Sequence, residues 1–135
     1  MSKLSAVLLI DDDPATNHLN ERLLRRLDLA DHYLLASDGA AALRQLQQLA
    51  AAQPLPGRVL VLLDLLMPGM DGMGFAAAVR QLPAAVQGAL VILVHTLNMN
   101  SHDLGRLDSL PIAGLVSKPL TEEKLATVLQ LHFGH

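Results

Sequence analysis

The sequence predicts an α/β fold, a doubly wound parallel sheet of five strands with helices on both faces. Two observations carry that expectation. Five short apolar runs alternate along the chain with segments of helical period, the pattern of strands joined by right-handed crossover helices. Three of the runs, VLLI, VLVLL and ALVILV, are apolar throughout and do not alternate. Strands read this way when both faces of their sheet are covered.

The runs are Ala6–Ile10, Tyr33–Ala36, Val59–Leu63, Ala89–Val94 and Gly114–Ser117. Behind the first, Pro14 suits the opening position of a helix that follows an aspartate cap, and Leu19, Leu23, Leu24 and Leu27 recur on one face. Asp38 caps a second helix carrying Leu43, Leu46 and Leu49. A third follows Gly72, with Phe75, Val79 and Leu82 inward. Ser101 opens a weaker fourth helix bearing Leu104 and Leu107, interrupted by Gly105. Thr121 caps a fifth, where Glu122 and Glu123 suit the positive end of the helix dipole and Leu125, Val128 and Leu129 face inward. The stretch around Pro54 and Pro56 reads as a loop, since neither side of it could fold alone. The expected organisation is one domain over residues 1–135 with no output domain.

Composition narrows the function. A hydrophobic share of 51% with 17% charged residues argues against disorder. A net charge of -3 supplies no basic field for nucleic acid. The absence of cysteine removes disulfides and thiol catalysis. The opening MSKLSAVLLIDDD is too short in its apolar part for a signal peptide, and no run is long enough to span a bilayer. A cytoplasmic protein without membrane insertion is the expectation.

The chemistry lies where the apolar runs stop. The first run ends in Asp11, Asp12 and Asp13, the third in Asp64, the fourth in Thr96 and the fifth in Lys118. In an open parallel sheet, ligands bind beyond the carboxyl ends of the strands. Four strands would thus bring carboxylates, a hydroxyl and an ammonium to one crevice. Crowded carboxylates repel one another and call for a cation. Oxygen ligands alone favour a hard ion such as Mg²⁺. Lys118 and Thr96 could then bind phosphoryl oxygens while Asp64 acts as the nucleophile.

The segments VLLIDDDPATN, VLVLLDLLMPGMDG, ALVILVHT and AGLVSKPLT, in this order, resemble the response-regulator receiver family, in particular its single-domain, chemotaxis-regulator-like members. The resemblance covers essentially the whole chain. It implies a flavodoxin-like sheet of strand order 2-1-3-4-5 and phosphorylation of Asp64 by a sensor histidine kinase or phosphotransfer protein. It also implies that Asp11, Asp12, Asp64 and the backbone carbonyl of Leu66 hold Mg²⁺ (or Mn²⁺), with Thr96 and Lys118 at the phosphoryl group and a cis Lys118–Pro119 bond. The role is signalling and not enzymatic turnover: the chain would catalyse only its own phosphotransfer and slow dephosphorylation. The message would leave by contact with a downstream protein, with a homodimer possible through the fourth helix, strand five and the fifth helix.

Two positions depart from the family pattern. Leu115 stands where Tyr or Phe is common, and Leu97 follows Thr96 where a small residue is typical. Leu97 and Leu66 are expected to screen the acyl phosphate from water. Among the histidines, His18 reads as a solvated helix position and His95, by strand alternation, as packing or surface. Arg22, Arg25 and Arg26 read as a solvated face. Two other function classes account for fewer of these residues. A phosphatase of the haloacid-dehalogenase type would use Asp11 and Asp13, but Thr16 is one place late for its first motif and MPGMDG is unexplained. A degenerate receiver serving as a scaffold would not need the complete set of Asp11, Asp12, Asp64, Thr96 and Lys118.

Overall fold

A run of leucines and valines without alternation is stable as a strand only where both faces meet apolar side chains. A computed structural model, which describes residues 4–52, 57–64, 72–96 and 110–133, places the three such runs in the middle of a sheet. These are β1 (Leu4–Ile10), β3 (Val59–Leu63) and β4 (Leu90–Thr96), flanked by β2 (Ala30–Ala36) and β5 (Gly114–Ser117). Every pairing is parallel and the order is β2-β1-β3-β4-β5. The expected topology is therefore borne out. β2 begins earlier than its apolar run, because an edge strand tolerates the exposed Asp31 and His32.

The sheet divides the core into two layers. Ala6, Leu8, Ile10, Val61, Leu63 and Ile92 point to one side and pack with Leu46, Phe75 and Val79. Val7, Leu9, Leu60, Leu62 and Leu93 point to the other and pack with Leu24, Leu125 and Val128. The first layer is covered by α2 (Gly39–Ala52) and α3 (Gly72–Ala78), the second by α1 (Pro14–Leu27) and α5 (Glu122–Phe133).

The caps follow the sequence. Asp13 accepts from the Ala15 amide at 3.1 Å and from the Thr16 hydroxyl at 2.7 Å. Asp38 accepts from Ala41 at 2.8 Å, and Thr121 from Lys124 at 3.2 Å. Tyr33 seals the far end of α1, its hydroxyl accepting from Leu29 and Ala30 and donating to the Leu24 carbonyl.

Two local expectations need correction. Leu19 is 63% exposed, and the buried face of α1 consists of Asn17, Asn20 and Leu24. Asn17 turns inward to bond the strand ends, while Leu24, with the partly buried Leu23 and Leu27, packs on the second layer as expected. A short helix, α4 (Ala84–Ala89), follows a 3₁₀ turn at Val79–Gln81 and takes Ala89 away from the fourth strand. Pro83 at its N-cap starts it, and Gln87 secures the turn by donating to the carbonyls of Arg80 and Leu82. The helix expected after Ser101, the MPGMDG turn, Leu66 and Leu97 lie outside the described residues. Among the described residues, no helix is long and apolar enough to cross a membrane.

Candidate functional site

Parallel register carries the polar residues to one edge. Ile10 pairs with Leu63 and Leu63 with Val94, so Asp11 and Asp64 leave adjacent strands at the same level. Asp64 donates its amide to the Ile10 carbonyl at 2.9 Å, and Asp11 donates its own to Ala36 at 3.1 Å. Both carboxylates are buried, while Asp12 is exposed. Carboxylate oxygens of Asp11, Asp12 and Asp64 lie within 4.8 Å of one another.

Lys118 reaches this cluster from the end of β5. Its Nζ lies 2.7 Å from Asp11 Oδ2 and 3.5 Å from Asp64 Oδ2. Partial burial disfavours the ammonium, but the hydrogen bond to Asp11 and the charges of Asp64 and Asp11 outweigh that, holding its pKa above the ordinary lysine value. The Lys118–Pro119 peptide is cis, as expected. Thr96 ends β4 beside Ser117, and its carbonyl accepts the Lys118 amide at 2.9 Å. The structure thus brings Asp11, Asp12, Asp64 and Lys118 together, with Thr96 at the adjoining strand end.

The set fits a hard divalent cation. All three donors are oxygens, and their spread is close to the roughly 4.2 Å that separates opposite ligands around one Mg²⁺. Among the described residues, one ammonium faces three carboxylates, which leaves negative charge for such an ion.

Sequence reading missed Asn17. Its buried amide donates to the carbonyls of Asp11 at 3.0 Å and Ala36 at 3.2 Å, fixing the backbone from which Asp11 projects. Asp11 Oδ1 further accepts from the Asp13 amide at 2.9 Å. On the α1 side, a cavity of about 450 Å³ opens between that helix and the β5–α5 loop. Its lining includes Thr16, Leu19, Asn20, His95 and Lys118. His95 is buried packing, as strand alternation allowed, and His18 is exposed. The basic residues of α1 are a solvated face, with Arg25 bonded to Glu21 at 3.1 Å and Arg26 lying 3.7 Å from Glu122.

The model of the response regulator receiver domain matches residues 7–130. The chain belongs to this family. The receiver is 32% identical over 129 residues to the sensor histidine kinase GacS of Pseudomonas protegens, covering 95% of the chain. It is 26% identical over 133 residues to the transcription factor SKN7 of Chaetomium thermophilum, covering 98% of the chain. The receiver spans only 13% and 16% of the length of those two proteins. Among solved structures, a two-component response regulator from Cytophaga hutchinsonii superposes with a TM-score of 0.82 at 25% identity. That match covers 99% of this chain and 100% of the other. The chain is thus a receiver domain of two-component signalling, homologous to response regulators and to the receivers of histidine kinases.

Proposed function

We propose that Asp64 accepts a phosphoryl group from a phosphohistidine on a sensor kinase or phosphotransfer protein. One observation carries this reading. The Lys118 ammonium is held at 2.7 Å and 3.5 Å from two buried carboxylates, at the edge of a three-carboxylate cluster. An Asp64 oxygen attacks phosphorus, the P–N bond breaks, and the donor's imidazole leaves with the electron pair. Lys118 binds a phosphoryl oxygen and offsets its charge. Thr96 offers a hydroxyl to another. Asp11 and Asp12, with Asp64 and the Leu66 carbonyl, would hold Mg²⁺ or Mn²⁺, which when bound supplies further neutralisation of the phosphoryl oxygens.

The phosphorylated state is a signal, consumed once per molecule and ended by slow hydrolysis. A donor protein has access across α1, where Leu19 lines the open cavity. The message leaves by protein contact at β5 and α5, where Leu115 is 51% and Leu131 73% exposed. The dehalogenase-type reading gains no support, because Asp13 is committed to capping α1 through Ala15 and Thr16. Those two bonds, the Thr16 hydroxyl's first, hold the Asp13 carboxyl below its ordinary pKa, whereas a general acid needs a raised one.

The test is intact mass after incubation with acetyl phosphate and Mg²⁺. Wild type should gain one phosphoryl adduct and Asp64→Asn none. An equal adduct on both proteins, or none on wild type, overturns the assignment.

A further inference from the structure

The first turn of α5 breaks a local rule. Thr121 is its N-cap, and Glu122, Glu123 and Lys124 are its first three residues. A capping box would place Glu or Gln third, reaching back to the cap's own amide. Lysine there sets a cation against the positive end of the helix dipole. Half of the box is nevertheless made, since Thr121 Oγ1 accepts from the Lys124 amide at 3.2 Å.

The Lys124 side chain turns to a different task. Its Nζ donates to the Ser117 carbonyl at 3.0 Å and the Pro119 carbonyl at 2.8 Å. These are the residues on either side of Lys118. A third bond, from the Lys118 amide to Thr96 at 2.9 Å, ties the same segment to β4. The backbone of Lys118 is therefore pinned on both flanks, by α5 and by the sheet. We infer that Lys124 is a positioning residue, which fixes the main chain of Lys118 so that its ammonium meets Asp11 and Asp64.

The physical need for such a clamp is plain. Lysine carries a point charge on a flexible four-carbon stem, so the placement of its ammonium depends on where its backbone is anchored. Errors of about 1 Å in a reacting group can cost a factor of about a hundred in rate. Lys124 bonds to main-chain carbonyls, so it acts through Lys118. The clamp also ties the opening turn of α5 mechanically to the acidic cluster. A cation at a disfavoured helix position, directly after the two glutamates that suit it, is the sequence trace of that arrangement.

The inference rests on the phosphoacceptor reading for its rate arm only. Lys124→Met keeps the stem and removes the ammonium, while Lys124→Arg can again donate to both carbonyls. Three quantities are compared: phosphoryl uptake from acetyl phosphate with Mg²⁺, the ¹H–¹⁵N ammonium resonance of Lys118, and Tm. The resonance is assigned by its absence in Lys118→Arg. Lys124→Met should slow uptake about tenfold or more and shift or broaden the Lys118 resonance, with Tm within a few degrees of wild type. Lys124→Arg should restore both. An unchanged Lys118 resonance in Lys124→Met overturns the inference, as does an unchanged rate. Failure of Lys124→Arg to restore either, or a rate loss matched by collapse of Tm, makes the role structural and overturns it too. If wild type takes no phosphoryl group, the Asp64 reading fails by itself, and the resonance alone still decides the clamp.

Discussion

Lowering the pH from 6.5 to 4 adds a proton to His95 in the unfolded chain that the folded chain refuses. The ring is 3% exposed, and its Nε2 has no hydrogen-bond partner among the described residues. Burial first, and then the charge of Lys118, bring its pKa down from 6.5 to about 4, against a smaller pull upward from Asp11. In that window the unfolded state binds more protons, so stability falls as the pH falls. The loss is complete once the folded ring also titrates. At about 1.4 kcal/mol per pH unit, the interval is worth about 3 kcal/mol, a large part of a total near 5–15 kcal/mol. Urea unfolding of wild type and His95→Leu at steps between pH 7 and pH 4 measures it. The variant also removes a buried, unpaired nitrogen, so it should be about 1 kcal/mol more stable at pH 7. Its advantage should then widen by about 3 kcal/mol towards pH 4. The other histidines and the carboxylates are common to both proteins and cancel. Curves that run parallel from pH 6.5 to 4 refute the reasoning.

Asn17→Ala removes the donors to Asp11 and Ala36, of which Ala36 keeps the Asp11 amide. Loss of the two bonds should cost about 2 kcal/mol in urea unfolding and slow phosphoryl uptake by loosening Asp11. Mg²⁺ at about a hundred times its dissociation constant should stabilise the fold by about 2.7 kcal/mol, read as a rise in Tm. Asp12→Asn should abolish most of that rise.

The frame was legible because a doubly covered sheet leaves unmistakable apolar runs, and the site because those runs stop at charged residues. Asp11, Asp12, Asp64, Thr96 and Lys118 are all strand-end residues, and parallel register alone converges them. The supporting groups were hidden for physical reasons. Asn17 and Asn20 occupy the inner face of α1, where periodicity that counts only apolar residues looks for leucine. The same count puts Leu19 inward, yet it lies in the open. Lys124 reads as a solvated lysine unless its clash with the helix dipole is noticed. The helix at Ala84–Ala89 buries only Val86, too little to make a periodic pattern, and its start depends on Pro83 and on Gln87 bonding two carbonyls, which no spacing announces.

The division of the interior by the sheet has a consequence for how the molecule tolerates change. Leu8 and Leu9 adjoin in sequence yet belong to separate compartments, one with Phe75 and the other with Leu125. Phe75 and Leu125 lie in separate clusters among the described residues, so the costs of truncating them should sum to within about 0.5 kcal/mol. Each compartment can accumulate substitutions on its own schedule, while the strand ends that carry the carboxylates stay registered by the backbone bonds between them.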